Sequence, residues 1–145
     1  DWTAMRLRMD KPTPRITLGV ALRGVASSAI DLSDGLVGDL GHVLKRSHVG
    51  ATLLTDWIDT AQGLSAPVAA LPWAQRLEWV LSGGDDYELL FTAAPEHRTE
   101  VQEAALSVGV PVTRIGCIER ELGLRVMDRN GKPLSRRFTS FDHFA

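Results

Sequence analysis

The chain has 145 residues, of which 44% are hydrophobic and 23% are charged, and its formal net charge at pH 7 is −2. This composition is typical of one globular domain that buries its own hydrophobic core. The small negative charge argues against a dedicated nucleic-acid-binding protein, which usually carries a basic excess. Cys117 is the only cysteine, which excludes an intrachain disulfide and a cysteine-rich zinc site. No apolar run approaches the roughly 18 residues that span a bilayer.

The first fifteen residues are mixed in charge and lack the basic start and apolar core of a signal peptide. Pro12 and Pro14 forbid a continuous helix in this region. We therefore expect residues 1–15 to be a remnant of a preceding region followed by a linker, and residues 16–145 to form the domain. Apolar side chains over 16–22 predict a short helix. The local pattern leaves open whether Arg15 is solvated or faces an anion.

The most informative stretch is residues 29–36, AIDLSDGL in one-letter code, which predicts a short buried strand over 28–32 that turns sharply into a helix. Ser33 or Asp34 is suited to cap that helix. Unpaired first-turn N–H groups and the helix dipole favour a phosphate at such a turn. Asp31 and Asp34 would repel that phosphate unless a cation lay between them, which predicts Mg²⁺–nucleotide chemistry. On the local pattern, a capped helix with one solvated aspartate is the alternative.

The helix after this turn is predicted over about 34–47. Its apolar stripe recurs at helical spacing and consists of Leu36, Leu40, Val43 and Leu44. Asp39 and His42 fall away from this stripe, and a histidine on an outer face is usually solvated. Gly50 is suited to end the helix, and residues 51–55 then predict a strand.

A second informative stretch is residues 82–91, SGGDDYELLF, which follows a predicted short helix at 65–71 and an amphipathic helix from 73 to about 82. Its paired glycines allow a close approach of a ligand, and the alternation after them predicts a strand. Asp85 and Asp86 would then lie at the mouth of a sheet. A tight turn with solvated charges explains the same residues without a site.

The remaining chain predicts a helix that opens at Pro95 and ends at Gly109, then strands at about 111–118 and 122–128. Asn130 and Gly131 predict a type I′ hairpin turn, which needs two positive φ angles. The chain ends in an aromatic segment that we expect to pack or stack.

Segments in four parts of the chain together resemble the thiamine-monophosphate kinase family. The residues that carry the resemblance are 31–40 (DLSDGLVGDL), 82–91 (SGGDDYELLF), 141–144 (FDHF) and the segment 12–15 (PTPR) followed by Gly19 and Leu22. The family implies an α+β fold, a mixed β-sheet with packed helices like the C-terminal domain of aminoimidazole ribonucleotide synthetase. The resemblance covers the C-terminal half, so the ATP- and Mg²⁺-binding N-terminal domain would be absent.

The resemblance also implies a reaction and roles for individual residues. ATP would transfer its γ-phosphoryl group to thiamine monophosphate, and positioning and Mg²⁺ charge neutralisation would do most of the work. Asp31 and Asp34 would ligate Mg²⁺, and Ser33 would hydrogen-bond ATP. Asp85, where many relatives have glutamate, would contact thiamine monophosphate, and Phe141 would stack on one of its rings. No residue is assigned a covalent catalytic role.

The family further implies a cytoplasmic enzyme of thiamine diphosphate biosynthesis that forms a homodimer through the N-terminal domain, without nucleic-acid or membrane partners. We expect the 145-residue chain alone to be inactive, because Asp31 and Asp34 supply too few carboxylates for a Mg²⁺ cluster. Two alternatives stay open: another member of the superfamily, such as a selenophosphate synthetase or a hydrogenase-maturation protein, or a non-catalytic ligand-binding or assembly module.

Overall fold

The computed structural model describes residues 3, 6, 14–59, 66–83 and 88–134. The order along the chain is α1 (Ile16–Ala21), β1 (Ala26–Asp31), α2 (Leu36–Ser47), β2 (Gly50–Leu54), α3 (Thr55–Asp59), α4 (Ala66–Ala69), α5 (Trp73–Ser82), β3 (Leu89–Ala93), a 3-10 turn (Pro95–His97), α6 (Arg98–Val108), β4 (Gly116–Glu119) and β5 (Gly123–Met127). The predicted α+β class is confirmed.

The described strands form two sheets. β1 and β3 pair antiparallel, with Asp31 opposite Leu89 at the end of the ladder. β2 is the central strand of the other sheet, antiparallel to β4 and parallel to β5. This second sheet is mixed, as predicted, and its two outer strands follow one another in sequence without pairing directly.

The core lies between α2, α5 and the three-stranded sheet. The apolar stripe of α2 is confirmed, since Leu36, Leu40 and Leu44 are buried in this cluster. Leu81 of α5 has no exposed surface, and Ala51 and Leu53 of β2 complete the buried surface on the sheet side. Helix α2 is thus fixed along its length by apolar contacts, which hold the turn at its N-terminus in place.

The end of α2 differs from the prediction. His48, with a φ of 53°, adopts the left-handed conformation at the helix C-terminus, whereas Gly50 lies inside β2. A Cβ atom on Gly50 would lie 1.7 Å from the carbonyl oxygen of Glu121. The glycine, which is the first residue of β2, is required because the loop joining β4 and β5 approaches the backbone there, and a helix stop does not explain it.

The C-terminal part agrees with the sequence in outline. Gly109 ends α6 in the left-handed conformation, as predicted, but β4 begins at Gly116, later than position 111. The type I′ turn is wrong, because Gly131 has a positive φ and Asn130 does not. The Asp128 side chain instead accepts the N–H groups of Asn130 and Lys132, and such local side-chain bonds stabilise other turn types.

Candidate active site

The strand–turn–helix predicted around residues 29–36 is present, but its strand is not buried as predicted, since the residues of β1 alternate between half-buried and exposed. β1 ends at the exposed Asp31, and α2 begins at Leu36 after Gly35, whose φ is 96°. Ser33 and Asp34 form the bend between them and are both half-buried. The turn therefore displays the carboxylates of Asp31 and Asp34 beside the N-terminus of a helix that is anchored in the core.

Asp39 organises this turn, contrary to the expectation that it faces away from the core. Its side chain is buried, with 2% exposure, and its Oδ2 accepts the backbone N–H groups of Ser33 at 2.8 Å and Asp34 at 3.0 Å. The predicted Ser33 or Asp34 cap is wrong, because the N-cap residue is Gly35 and makes no side-chain cap hydrogen bond. The Asp39 carboxylate, which belongs to the helix itself, holds the turn instead. The two N–H donors make the burial of this carboxylate possible, because a buried charge without hydrogen-bond donors is unfavourable.

Three consecutive N–H groups of this turn, those of residues 32–34, are consequently occupied. Leu32 donates its N–H to the carbonyl of Glu88 at 2.8 Å, and the next two amides bind Asp39. Residues 32–34 therefore offer no unpaired amide to a phosphate. The first-turn N–H groups of α2 begin at Leu36 and receive no side-chain cap, so a phosphate at this helix N-terminus stays a prediction.

Three side chains that could ligate a metal ion lie close together at this turn and on the first turns of α2. One ligand atom each of Asp34, Asp39 and His42 lies within 4.8 Å of the others. Within the described residues, Asp31 is not a member of that group. Mg²⁺ prefers carboxylate oxygens and water, and the exposed Asp31 and half-buried Asp34 fit this preference. Asp39 already uses one oxygen to hold the turn, and the nitrogen ligand of His42 suits Mg²⁺ poorly.

The second motif lies directly beside the first. A Cβ atom on Gly35 would lie 3.0 Å from the carbonyl oxygen of Gly83 and 3.1 Å from that of Ser82. The C-terminus of α5 therefore touches the turn, and only a glycine with a positive φ fits at this contact. Asp85 lies outside the described residues, but Gly83 and Glu88, which flank its segment, both contact the turn.

Glu88 is held from the other side by Arg15. The Arg15 Nε and Nη2 donate to Oε2 and Oε1 of Glu88, each at 2.8 Å. The hydrogen bond to Glu88 raises the pKa of Arg15, and burial opposes that rise. This two-pronged contact decides the question left open by the sequence, because Arg15 faces a carboxylate of its own chain. Sequence reasoning missed Glu88, since no local pattern connects positions 73 residues apart.

Three predicted site residues, Asp31, Ser33 and Asp34, lie in the described turn. Asp85 and Phe141 lie outside the described residues. The roles of all five stay predictions. None of the helices in the described part of the chain is long and apolar enough to cross a membrane.

No protein-family model matches the chain. Among curated proteins it is 43% identical over 136 residues to the thiamine-monophosphate kinase of Salmonella typhimurium, covering 93% of this chain and 41% of that protein. The Haemophilus influenzae thiamine-monophosphate kinase is 45% identical over 145 residues, covering 97% of this chain and 43% of that protein. The chain thus spans about two fifths of the length of these relatives.

Solved structures agree in fold. The thiamine-monophosphate kinase of Stenotrophomonas maltophilia K279a superimposes with a TM-score of 0.78 at 41% identity, over 90% of this chain and 40% of that one. AaThiL complexed with AMPPCP and TMP gives a TM-score of 0.72 at 28% identity, over 98% of this chain and 41% of that one. In sequence and in fold, the chain is similar to about two fifths of the length of thiamine-monophosphate kinases.

Proposed function

We propose that the chain is the C-terminal part of a thiamine-monophosphate kinase. The whole enzyme transfers the γ-phosphoryl group of ATP to thiamine monophosphate, giving ADP and thiamine diphosphate. The observation that carries the proposal is the contact of the Asp31–Gly35 turn with both Gly83 and Glu88. A two-substrate transfer needs its two binding elements side by side, and these are the two motifs that resemble the family's site. The AMPPCP and TMP bound by the related AaThiL support this assignment.

In this proposal the turn serves the nucleotide. Asp31 and Asp34 ligate Mg²⁺, and Ser33 hydrogen-bonds ATP. Bound Mg²⁺ would neutralise the phosphate charge that develops during transfer. Asp39 keeps both carboxylates correctly presented by holding the amides of Ser33 and Asp34. The turn binds and orients, and none of its residues has to form a covalent bond with the substrate.

The acceptor is assigned to the second motif and the C-terminal segment. Asp85 contacts thiamine monophosphate, and Phe141 stacks on one of its rings. The segment of Asp85 begins after Gly83, which touches Gly35, so this assignment puts the acceptor next to the metal carboxylates. In-line transfer requires that proximity.

The proposal extends to the enzyme as a whole. Residues 1–15 join the domain to an N-terminal domain that supplies further Mg²⁺ ligands and forms a homodimer, and the enzyme is cytoplasmic. The chain by itself is expected to be inactive, since the Asp31–Asp34 pair is only part of a metal cluster.

The test uses a chimera in which this chain replaces the corresponding part of the Escherichia coli (strain K12) thiamine-monophosphate kinase, to which it is 42% identical. A coupled ADP-release assay then compares thiamine monophosphate with selenide and other small acceptors. We expect the chimera to turn over thiamine monophosphate and none of the other acceptors. We expect no turnover from the isolated chain. A folded chimera that prefers another acceptor, or uses none, would contradict the proposed reaction.

A further inference from the structure

Arg15 makes a side-chain contact that bridges distant parts of the chain. It precedes α1 directly, and its guanidinium grips both carboxylate oxygens of Glu88 at 2.8 Å. The pair is sheltered, with 25% of the Arg15 side chain and 35% of the Glu88 side chain exposed. A planar guanidinium that binds a carboxylate through two parallel bonds fixes its position and its orientation, which a single lysine contact does not.

The residue that Arg15 grips is tied to the turn through its backbone. The Glu88 carbonyl accepts the Leu32 N–H at 2.8 Å, and the next residue, Leu89, pairs with Asp31. The order of contacts is therefore Arg15 side chain, Glu88, Leu32 and finally the neighbouring Asp31. Because β1 and β3 form a two-stranded sheet in the described residues, few other ladder bonds hold this end of β1.

A second arginine–glutamate pair provides a comparison within the same molecule. Arg125 donates to Glu119 at 2.6 Å, and the two side chains are 23% and 40% exposed. The guanidinium also donates to the carbonyls of Leu122 and Glu121. This pair has similar exposure but joins β4 and β5 across β2. Among the described residues, its hydrogen bonds go to neither Leu32 nor Asp31.

We propose that Arg15 is a positioning residue, which holds the Asp31 end of β1 in place through its two-pronged contact with Glu88. The role concerns the orientation of Asp31, and Arg15 itself does not touch substrate. Its consequence for Mg²⁺ rests on the proposed function, whereas its effect on the Leu32 amide does not.

The first test measures amide hydrogen exchange in the full 145-residue chain. Arg15→Met should accelerate exchange of the Leu32 amide about tenfold, the size expected for losing a hydrogen-bonded charge pair. The control amide is that of Leu54, which donates to Ile115 at 2.9 Å at the end of β2 in the other sheet. We expect it to be unaffected by Arg15→Met, and we expect Arg125→Met to leave Leu32 unaffected.

Arg15→Lys is a second variant, for the case that Arg15→Met does not fold. It keeps the positive charge but removes the two parallel guanidinium hydrogen bonds to Glu88. It should accelerate Leu32 exchange by a smaller factor. Unchanged Leu32 exchange in both folded variants, or equal acceleration of Leu32 and Leu54, would overturn the positioning role.

The second test uses the active chimera and titrates Mg²⁺. Arg15→Lys should raise the Mg²⁺ concentration needed for half-maximal turnover several-fold, and Arg125→Lys should not change it. An unchanged Mg²⁺ requirement would overturn the link from Arg15 to Asp31. Failure of the unsubstituted chimera to make thiamine diphosphate would contradict the proposed function instead, and the exchange measurement would still decide the role of Arg15.

Discussion

The two sheets of this molecule hold their strands by different means. In the three-stranded sheet, β2 is largely buried, and Ala51 and Leu53 pack into the apolar core. In the β1–β3 sheet, the residues of β1 alternate between half-buried and exposed, and the end that carries Asp31 is fixed by polar contacts from Leu32, Glu88 and Arg15. The candidate site lies on the β1–β3 sheet, where carboxylates can reach solvent and still be oriented.

This comparison separates stability from function. Burial of apolar side chains supplies most of the stability of a fold, but it cannot orient an exposed carboxylate. Hydrogen bonds have the necessary directionality. Substitutions in the core should therefore affect unfolding, and substitutions at the end of β1 should affect turnover.

The largest expected effect is that of Asp31→Ala on turnover by the chimera. Loss of a proposed metal ligand should lower kcat about a thousandfold, which corresponds to ~4 kcal/mol in the barrier. Asp31 is exposed at the end of its strand, so the thermal unfolding midpoint should be unchanged. Steady-state kinetics and circular dichroism measure the two quantities, and a normal rate would sink the metal assignment.

Leu81→Ala should have the opposite profile. Leu81 has no exposed surface, and removal of such a side chain should lower the free energy of unfolding by about 3 kcal/mol. The matched control is Leu106→Ala, since 82% of Leu106 is exposed and such surface changes stay within about 0.5 kcal/mol. Urea denaturation distinguishes them, and equal effects would show that the core is placed wrongly.

Asp39→Asn tests a residue that is buried in α2 and also holds the turn of the candidate site. The amide keeps the shape of the side chain but loses the charge that holds the N–H groups of Ser33 and Asp34. We expect the free energy of unfolding to fall by about 1.5 kcal/mol and the Mg²⁺ requirement of the chimera to rise. Asp34→Asn is the control for stability alone, because it alters a half-buried carboxylate that does not hold these amides; as a proposed Mg²⁺ ligand, Asp34 is no control for the Mg²⁺ requirement. An Asp39→Asn protein of unchanged stability would argue against the holding role.

The smallest effect concerns Glu119 in the three-stranded sheet. Hydrogen bonds from Arg125 and Thr52 lower its pKa from the ordinary value of 4.5. Because the pKa is lower in the folded state, the stabilisation is present above pH 4.5 and is lost as the pH falls through the folded-state value. Exposure should keep the effect small. Unfolding midpoints measured down this pH range should fall less in Glu119→Gln than in the unsubstituted chain, and parallel curves would contradict the assignment.

Local patterns in the sequence predicted much of the fold. The spacing of Leu36, Leu40 and Leu44 predicted α2 and its buried face, and α5 begins at Trp73 as predicted. The motif around Asp31 predicted a strand, a turn and a helix, because β alternation, bend-forming residues and helical periodicity are all local signals. The motifs also predicted the similarity to thiamine-monophosphate kinases that the relatives show.

Other features depended on residues that are far apart in the sequence. The sequence alone determined most of the helices, the strand–turn–helix and the candidate carboxylates, because each is encoded within a few neighbouring residues; the short helix α3 (Thr55–Asp59) was not predicted. Only the tertiary structure decided that Asp39 turns inward to hold the turn, that Gly50 makes room for Glu121, and that Arg15 reaches Glu88. These contacts arise when separate elements pack, so the partner of each side chain is fixed by the fold and not by its neighbours in sequence.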